Sequence, residues 1–290
     1  MEKILVTGAY GQLGSELKLL SAGTSGFEFI FTDYDSLDIT DRHAVNVFIT
    51  KHKPDFVVNC AAYTAVDKAE QDKEACYRLN ADGPLHLAAA CLQSGSRLLH
   101  LSTDYVFDGT ASLPYREEDP VNPQGVYGAS KLKGEEACLQ LPDALIIRTS
   151  WLYSRFGNNF VKTILKLGKE RELVTVVFDQ IGTPTYAADL AGSILEVIKQ
   201  TVNNQSAWKP GIYHFSNEGV CSWYDFAMAI RRFSGLKCRI IPVESKDFVT
   251  LAKRPGYSVL NKTKIKNTFQ LTIPHWMDSL ELCITNQKNG

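Results

Sequence analysis

The sequence predicts an α/β protein: a doubly wound, mostly parallel sheet followed by a smaller α/β lobe towards the C-terminus. Three observations carry this expectation. Short apolar runs alternate with helical stretches through the first half, the rhythm of βαβ units. The first run, Lys3-Ile4-Leu5-Val6, passes directly into Thr7-Gly8-Ala9-Tyr10-Gly11-Gln12-Leu13-Gly14 and then into helix formers from Ser15 to Leu20. After Trp151 the alternation weakens and polar Gly/Pro loops become frequent. Strand, glycine turn and helix at the front of such a chain make the expected sheet Rossmann-like.

At 290 residues the chain is long enough for two unequal units, at roughly 100–200 residues per domain. Residues 1–150 read as a dinucleotide-binding domain, with elements of about 171–216 returning to it, and residues 151–290 as mainly a substrate-binding lobe. Apolar residues make up 44% and charged residues 22% of the chain, the balance of a globular protein. A net charge of −1 offers no basic footprint for nucleic acid and no polybasic arm for a membrane. Met1-Glu2-Lys3-Ile4-Leu5-Val6 lacks the apolar core of a signal peptide, and no later apolar run approaches the ~20 residues of a membrane span. A cytoplasmic location is expected. The seven cysteines are scattered, with no CxxC pair, and read as reduced core fillers with no metal role.

The elements follow in order. In the front turn, Gly8, Gly11 and Gly14 allow a tight bend, a close backbone approach to a pyrophosphate and close helix packing, while the helix starting at Gln12 and Leu13 offers free N–H groups. A second strand, Phe27 to Thr32, ends at Asp33, near the ~20-residue spacing at which an acid meets the adenosine ribose. Asp33 would accept from the 2′-hydroxyl and repel a 2′-phosphate, which favours NADH over NADPH; the alternative is that it opens the turn Asp33-Tyr34-Asp35-Ser36. Asp38 could reach adenine and Ile39 flank its ring, or Asp38 could belong to a helix cap at Thr40 or Asp41. A helix from about Arg42 to Lys51 leads to Asp55-Phe56-Val57-Val58-Asn59-Cys60, a strand apolar enough to be buried on both faces. Ala62, Tyr63 and Thr64 follow it, at the sheet edge where a ligand lies in this architecture. A long helical region is expected from Val66 to Gln93, with a break near Asp82-Gly83-Pro84, and Asn80 reads as a buried side-chain cap or a polar relay position.

The fourth strand, Arg97 to Leu101, ends at Ser102-Thr103-Asp104, and a proline-bearing irregular loop leads to Val126-Tyr127-Gly128-Ala129-Ser130-Lys131. Tyr127 and Lys131 are four apart, on one helical face, where an ammonium would lower the phenol from its ordinary acidity of about 10. The fifth strand is Ala144 to Arg148. Beyond it a strand near Leu173–Val177 is expected to return towards the sheet, Ala187 to Lys199 to form an apolar-periodic helix, Gly211 to Phe215 another strand, and Ser222 to cap a helix starting near Trp223.

Asn59-Cys60-Ala61-Ala62-Tyr63-Thr64 through Glu70, Ser102-Thr103-Asp104-Tyr105-Val106-Phe107-Asp108-Gly109, Tyr127 with Lys131, Arg148-Thr149-Ser150-Trp151 and Asp179-Gln180-Ile181-Gly182-Thr183-Pro184-Thr185 together resemble the extended short-chain dehydrogenase/reductase superfamily. Within it they resemble the dTDP-4-dehydrorhamnose reductase family, with a weaker extension at Lys253-Arg254-Pro255. The resemblance implies hydride transfer from NADH or NADPH to the C4 ketone of a nucleotide sugar. It implies Tyr127 as general acid, Lys131 as the group that lowers its pKa and holds the nicotinamide ribose, and Thr103, where serine is usual, as a donor to the same oxygen. It places Gly11, Gln12, Leu13, Asp33, Asp38, Ile39, Ala62, Tyr63 and Thr64 at the cofactor, and Asp104 and Trp151 near the sugar nucleotide. Some members bridge a homodimer with Mg²⁺ through two glutamates. Glu16 matches the first, but Ala188, with Asp189 beside it, stands at the second. One carboxylate is a poor site for a hard cation, so metal-bridged dimerisation is expected to be lost or altered. Two alternatives share the motifs: a reductase of another nucleotide-4-keto-6-deoxysugar, and a non-catalytic relative such as the regulatory subunit of methionine adenosyltransferase. The intact Thr103/Tyr127/Lys131 set argues against the second.

Overall fold

The computed structural model describes residues 1–248 and 250–288. In its first half β1 (Glu2–Thr7), α1 (Gln12–Ser21), β2 (Phe27–Thr32), α2 (Arg42–His52) and β3 (Phe56–Asn59) follow one another. Next come α3 (Val66–Ala69), α4 (Lys73–Tyr77), α5 (Gly83–Ser94), β4 (Arg97–Thr103), α6 (Val126–Cys138) and β5 (Ala144–Thr149). The second half holds β6 (Leu152–Tyr153), α7 (Phe160–Glu170), β7 (Leu173–Val177), β8 (Ile181–Gly182), β9 (Thr185–Tyr186) and α8 (Ala187–Asn203). It closes with β10 (Gly211–His214), β11 (Cys221–Ser222), α9 (Trp223–Ser234), β12 (Arg239–Val243), α10 (Thr263–Phe269) and α11 (Trp276–Lys288).

Six strands form one parallel sheet in the order β10-β5-β4-β3-β1-β2. Successive side chains leave opposite faces, and both faces are covered. Ile4, Val6, Val58 and Leu99 pack on one side against Leu13 and Leu17 of α1 and Leu190 and Ile194 of α8. Leu5, Val57 and Leu98 pack on the other against Val45 and Ile49 of α2 and Leu87 and Cys91 of α5. That double burial is why these strands read as unbroken apolar runs. Asp41 starts α2 by accepting from the N–H groups of His43 and Ala44, and Lys53 ends it in the left-handed region.

Two expectations need correction. The strand at Leu173–Val177 does not return to the large sheet; β7 pairs in parallel with β12 in a sheet of their own. Its alternating burial supplies Val174 and Val176 to a second core with Ile164 of α7, Phe226 and Ile230 of α9 and Leu280 of α11, and a strand needs only one apolar face to be held there. The helix expected over Val66–Gln93 is three helices, with a π-helical turn at Arg78–Asp82 joining α4 to α5. Pro84 has no N–H to give to the carbonyl of Asn80 four residues back, and the ladder widens there. A Cβ on Gly134 of α6 would collide with that same carbonyl, so the glycine lets α6 pack against the widened turn.

Ser222 caps α9 through a capping box with Asp225, and Gly235 closes it at φ +77. All seven cysteines are free, and six of them are buried. Among the described residues no helix is long and apolar enough to cross a membrane.

Candidate active site

The site collects at the C-terminal ends of the sheet strands. At the end of β1, Gly8 takes φ +65, and a Cβ there would lie 2.6 Å from Ala61 N. Gly11 N donates to Gly8 O at 3.1 Å, which closes the turn. A Cβ on Gly14 would collide with Gly8 O and lie 2.6 Å from Ala9 Cα. α1 therefore begins tight against the turn, with Gly11 at its N-cap, no side-chain cap and no acid in its first turn. Its first N–H groups are left for an anion, which fits a dinucleotide pyrophosphate. Leu13 contributes only backbone, because its side chain lies in the core. Gln12 is engaged across the molecule, accepting from Asn159 Nδ2 at 2.9 Å and donating to Leu152 O at 3.4 Å.

A cleft of about 190 Å³ opens beside this turn and is lined by Gly8, Gly11, Asp33, Asp38, Ile39 and Ala62. Asp33 accepts from the backbone N–H groups of Tyr10 and Tyr34, both at 2.8 Å, and its carbonyl closes the following turn. The carboxylate is half-buried at the cleft, held by these two N–H groups. Asp38 accepts from Thr40 N and Oγ1, whereas Asp41 is the cap. Ile39 is buried against Gly83, so its side chain belongs to the core beneath the cleft. Asn80, fully buried, brackets Tyr63: Oδ1 accepts from Tyr63 N at 2.8 Å and Nδ2 donates to Tyr63 O at 3.0 Å and to Ser130 Oγ at 3.0 Å. It thereby ties the loop holding Ala62, Tyr63 and the exposed Thr64 to α6.

At the end of β4, Thr103 Oγ1 donates to Asp104 Oδ1 at 3.0 Å. Asp104 is 3% exposed, its Oδ2 has no partner, and burial raises its carboxyl from 3.8 to about 6. Tyr127 and Lys131 stand one turn apart on α6, but the ammonium does not soften the phenol as the spacing alone suggests. Burial pushes the Tyr127 phenol above its ordinary range, opposed by its hydrogen bond with Thr103 and assisted by the charge of Asp104. Lys131 points elsewhere: Nζ donates to Leu101 O at 2.6 Å and lies 3.5 Å from His100 Nε2. Burial brings this lysine down from 10.5 to about 8.

Trp151 leaves β5 in the left-handed region at φ 47. Its ring stacks on Trp223 at 3.6 Å and 9°, and a Cβ on Gly182 would enter it at 2.6 Å. The ring is thus slotted between Trp223 of α9 and Gly182 of β8. Beyond Trp223 opens an apolar cleft of about 750 Å³, lined by Phe160, Val174, Val176, Tyr105 and Arg254 among others. Arg254 pairs with Asp67 Oδ2 and donates to Tyr105 Oη at 3.1 Å, and Tyr105 meets Tyr127 edge-on at 5.5 Å. Tyr105, Asp67, Trp223 and Arg254 had no expected role, although Asp67, Tyr105 and Arg254 stand inside the motifs quoted above.

Glu16 is 1% exposed and accepts from Ser154 Oγ at 2.6 Å. Asp189 accepts from Asn217 Nδ2 at 2.6 Å and from Ser279 Oγ. Both carboxylates are therefore used inside the chain, and among the described residues no group of three or more His, Cys, Asp or Glu could hold a metal ion.

A parallel sheet with a glycine turn at its first strand and a Thr–Tyr–Lys set at its fourth defines an oxidoreductase of the extended short-chain dehydrogenase/reductase type. Within that class the chain belongs to the family described as RmlD substrate binding domain, whose model matches residues 1–289. It is 42% identical to a dTDP-4-dehydrorhamnose reductase of Aggregatibacter actinomycetemcomitans, over 97% of this chain and 98% of the relative. A dTDP-4-dehydrorhamnose reductase of Clostridium acetobutylicum superposes with a TM-score of 0.93 at 44% identity, covering 99% of both chains. The same enzyme from Bacillus anthracis, solved in complex with NADP, superposes with a TM-score of 0.92 at 38% identity, over 98% of this chain and 99% of that one.

Proposed function

We propose that the protein reduces the C4 ketone of dTDP-4-dehydro-L-rhamnose to dTDP-L-rhamnose, with Tyr127 as the proton donor. The observation that carries this reading is where the donor stands. Cys60 lines the glycine cleft and faces Lys131, while Tyr105 lines the apolar cleft and packs on Tyr127. The Tyr–Lys pair thus lies where a cofactor cleft meets a substrate cleft.

The glycine turn, the first turn of α1 and the Asp33 carboxylate would hold NAD(P)H, which supplies the hydride when bound. Everything else falls to this chain. Thr103 Oγ and the Tyr127 phenol converge on one place, where they would hold the ketone oxygen and meet the charge that develops on it. Kept protonated at neutral pH by its burial, Tyr127 gives its proton to that oxygen. Asp104, with Oδ2 unpartnered, is suited to accept from a sugar hydroxyl, and Trp151 to bound the sugar. Arg254 is placed to meet a diphosphate at the mouth of the apolar cleft.

Asp33 favours NADH, since its carboxylate occupies the place a 2′-phosphate would need. The test is steady-state turnover of dTDP-4-dehydro-L-rhamnose with each cofactor. The expected result is product formation with the larger kcat/KM for NADH. A clear preference for NADPH would refute the role of Asp33, and no turnover with either would refute the reading as a whole.

A further inference from the structure

Three polar residues stand side by side across the centre of the sheet. Thr7 on β1 is in register with Asn59 on β3, and Asn59 with His100 on β4, so their side chains leave the same face. All three are closed to solvent. Thr7 Oγ1 donates to Asn59 Oδ1 at 2.7 Å, and Ala61 N donates to the same oxygen at 3.1 Å. Asn59 Nδ2 lies 3.0 Å from His100 Nδ1, and His100 Nε2 lies 3.5 Å from Lys131 Nζ.

The direction of this row follows from its fixed end. A backbone N–H can only donate, so the oxygen of the Asn59 amide faces Ala61 and its nitrogen faces the imidazole. That nitrogen also only donates. His100 Nδ1 must therefore accept, and the ring proton sits on Nε2. Burial and the neighbouring lysine hold the imidazole neutral, well below its ordinary range. Lys131 is consequently met by an N–H. A lone pair there would bind an ammonium, whereas an N–H can bind only the free amine.

We propose that the Thr7–Asn59–His100 row makes Lys131 a stronger acid by presenting His100 Nε2–H to its nitrogen, and that Asn59 and His100 are positioning residues acting through this lysine. The other groups facing Lys131 are Cys60 after β3, Cys76 of α4, and Glu135 and Cys138 of its own helix, all of which favour the ammonium. Glu135 is largely spent on Arg148 and Ser102, and burial outweighs the set. The purpose rests on the reading of Tyr127 as proton donor. Each turnover leaves a Tyr127 phenolate; because Lys131 Nζ points to Leu101 O and not to the phenol, its proton would reach that oxygen through an intervening hydroxyl or water, re-forming the phenol O–H, and the amine left behind would recover a proton from solvent when the site opens.

The test needs neither substrate nor cofactor, so a wrong sugar leaves it intact, and its failure leaves the proposed reaction standing. In protein labelled with [ε-¹³C]lysine, the Lys131 resonance, assigned by its loss in Lys131→Met, is followed against pH in the wild type, Asn59→Asp and His100→Gln. Asn59→Asp accepts from Nδ1 and so turns the lone pair of Nε2 towards Lys131; His100→Gln can turn an amide oxygen there without adding charge. The expected result is a wild-type midpoint near 8 and midpoints about one pH unit or more higher in both variants, a tenfold gain in proton affinity. Circular dichroism checks that each variant folds, and if Asn59→Asp does not, His100→Gln decides alone. A wild-type midpoint at the ordinary 10.5, or an unmoved midpoint in His100→Gln, would overturn the proposal.

Discussion

Tyr127 and Asp104 differ in what each removes when changed. Tyr127→Phe deletes the proton and leaves the glycine cleft untouched, so kcat is expected to fall by about 10²–10⁴-fold while NADH binding, read by fluorescence titration, stays near wild type. Turnover at the wild-type rate would end the assignment of this tyrosine. Asp104 offers a pH test with a definite sign. Its carboxyl holds the proton more tightly folded, about 6, than at its ordinary 3.8. The stability this contributes is complete below about pH 4 and is lost as pH rises through about 6. Asp104→Asn, which cannot ionise, should therefore gain in urea midpoint relative to wild type at pH 7 compared with pH 4. An equal difference at the two pH values would contradict the buried, proton-retaining carboxyl. The identities of these residues were legible in the motifs, but not the pose of Lys131. Spacing puts two side chains on one helical face without saying that Leu101 O, on the neighbouring strand, claims the ammonium.

Elements impose their own demands. A methyl on Gly14 would drive into the turn that Gly8 closes, whereas the nearest atom to a methyl on Gly11 is Gly8 O at 3.3 Å. Gly14→Ala is expected to cost about 1–3 kcal/mol and most of the cofactor affinity, and Gly11→Ala clearly less, as read by denaturation and NADH titration. Equal effects would mean that the turn is not this tight. Helix α6 is locked to the sheet by the buried pair Arg148–Glu135 at 2.7 Å, with Ser102 as a further donor to the carboxylate. Arg148→Met strands Glu135 and should cost about 3–5 kcal/mol, much of it recovered when Glu135→Leu is added; a double variant no better than the single one would contradict the pairing. Strands β1, β3, β4 and β5 were legible because burial on both faces writes itself as apolar runs, and the half-buried edge strand β2 because its residues are aromatic and β-branched. The π-helical turn was not, since Pro84 signals a break without saying that the ladder widens there, and the close packing that Gly134 allows against it comes from a different helix.

At the scale of the molecule, the large sheet was readable from local rhythm, while the destination of β7 was not. Its partner β12 lies some sixty residues further on, and no local pattern distinguishes a strand that joins the large sheet from one that begins another. A separation of 187 residues hid the Asp67–Arg254 link across the mouth of the apolar cleft. Because Glu16 and Asp189 are consumed by internal hydrogen bonds, sedimentation in Mg²⁺ and in EDTA should give the same mass; a Mg²⁺-dependent dimer would show that these carboxylates can be released. The central claim is that hydride reaches C4 of a 4-keto nucleotide sugar while Tyr127 protonates the oxygen, and isotope transfer tests it most directly. With NADH carrying deuterium at C4 of its reduced ring and dTDP-4-dehydro-L-rhamnose as acceptor, the account predicts dTDP-L-rhamnose with deuterium at sugar C4, and its near-complete loss in Tyr127→Phe. No deuterium at that carbon, or the opposite C4 configuration, would contradict it.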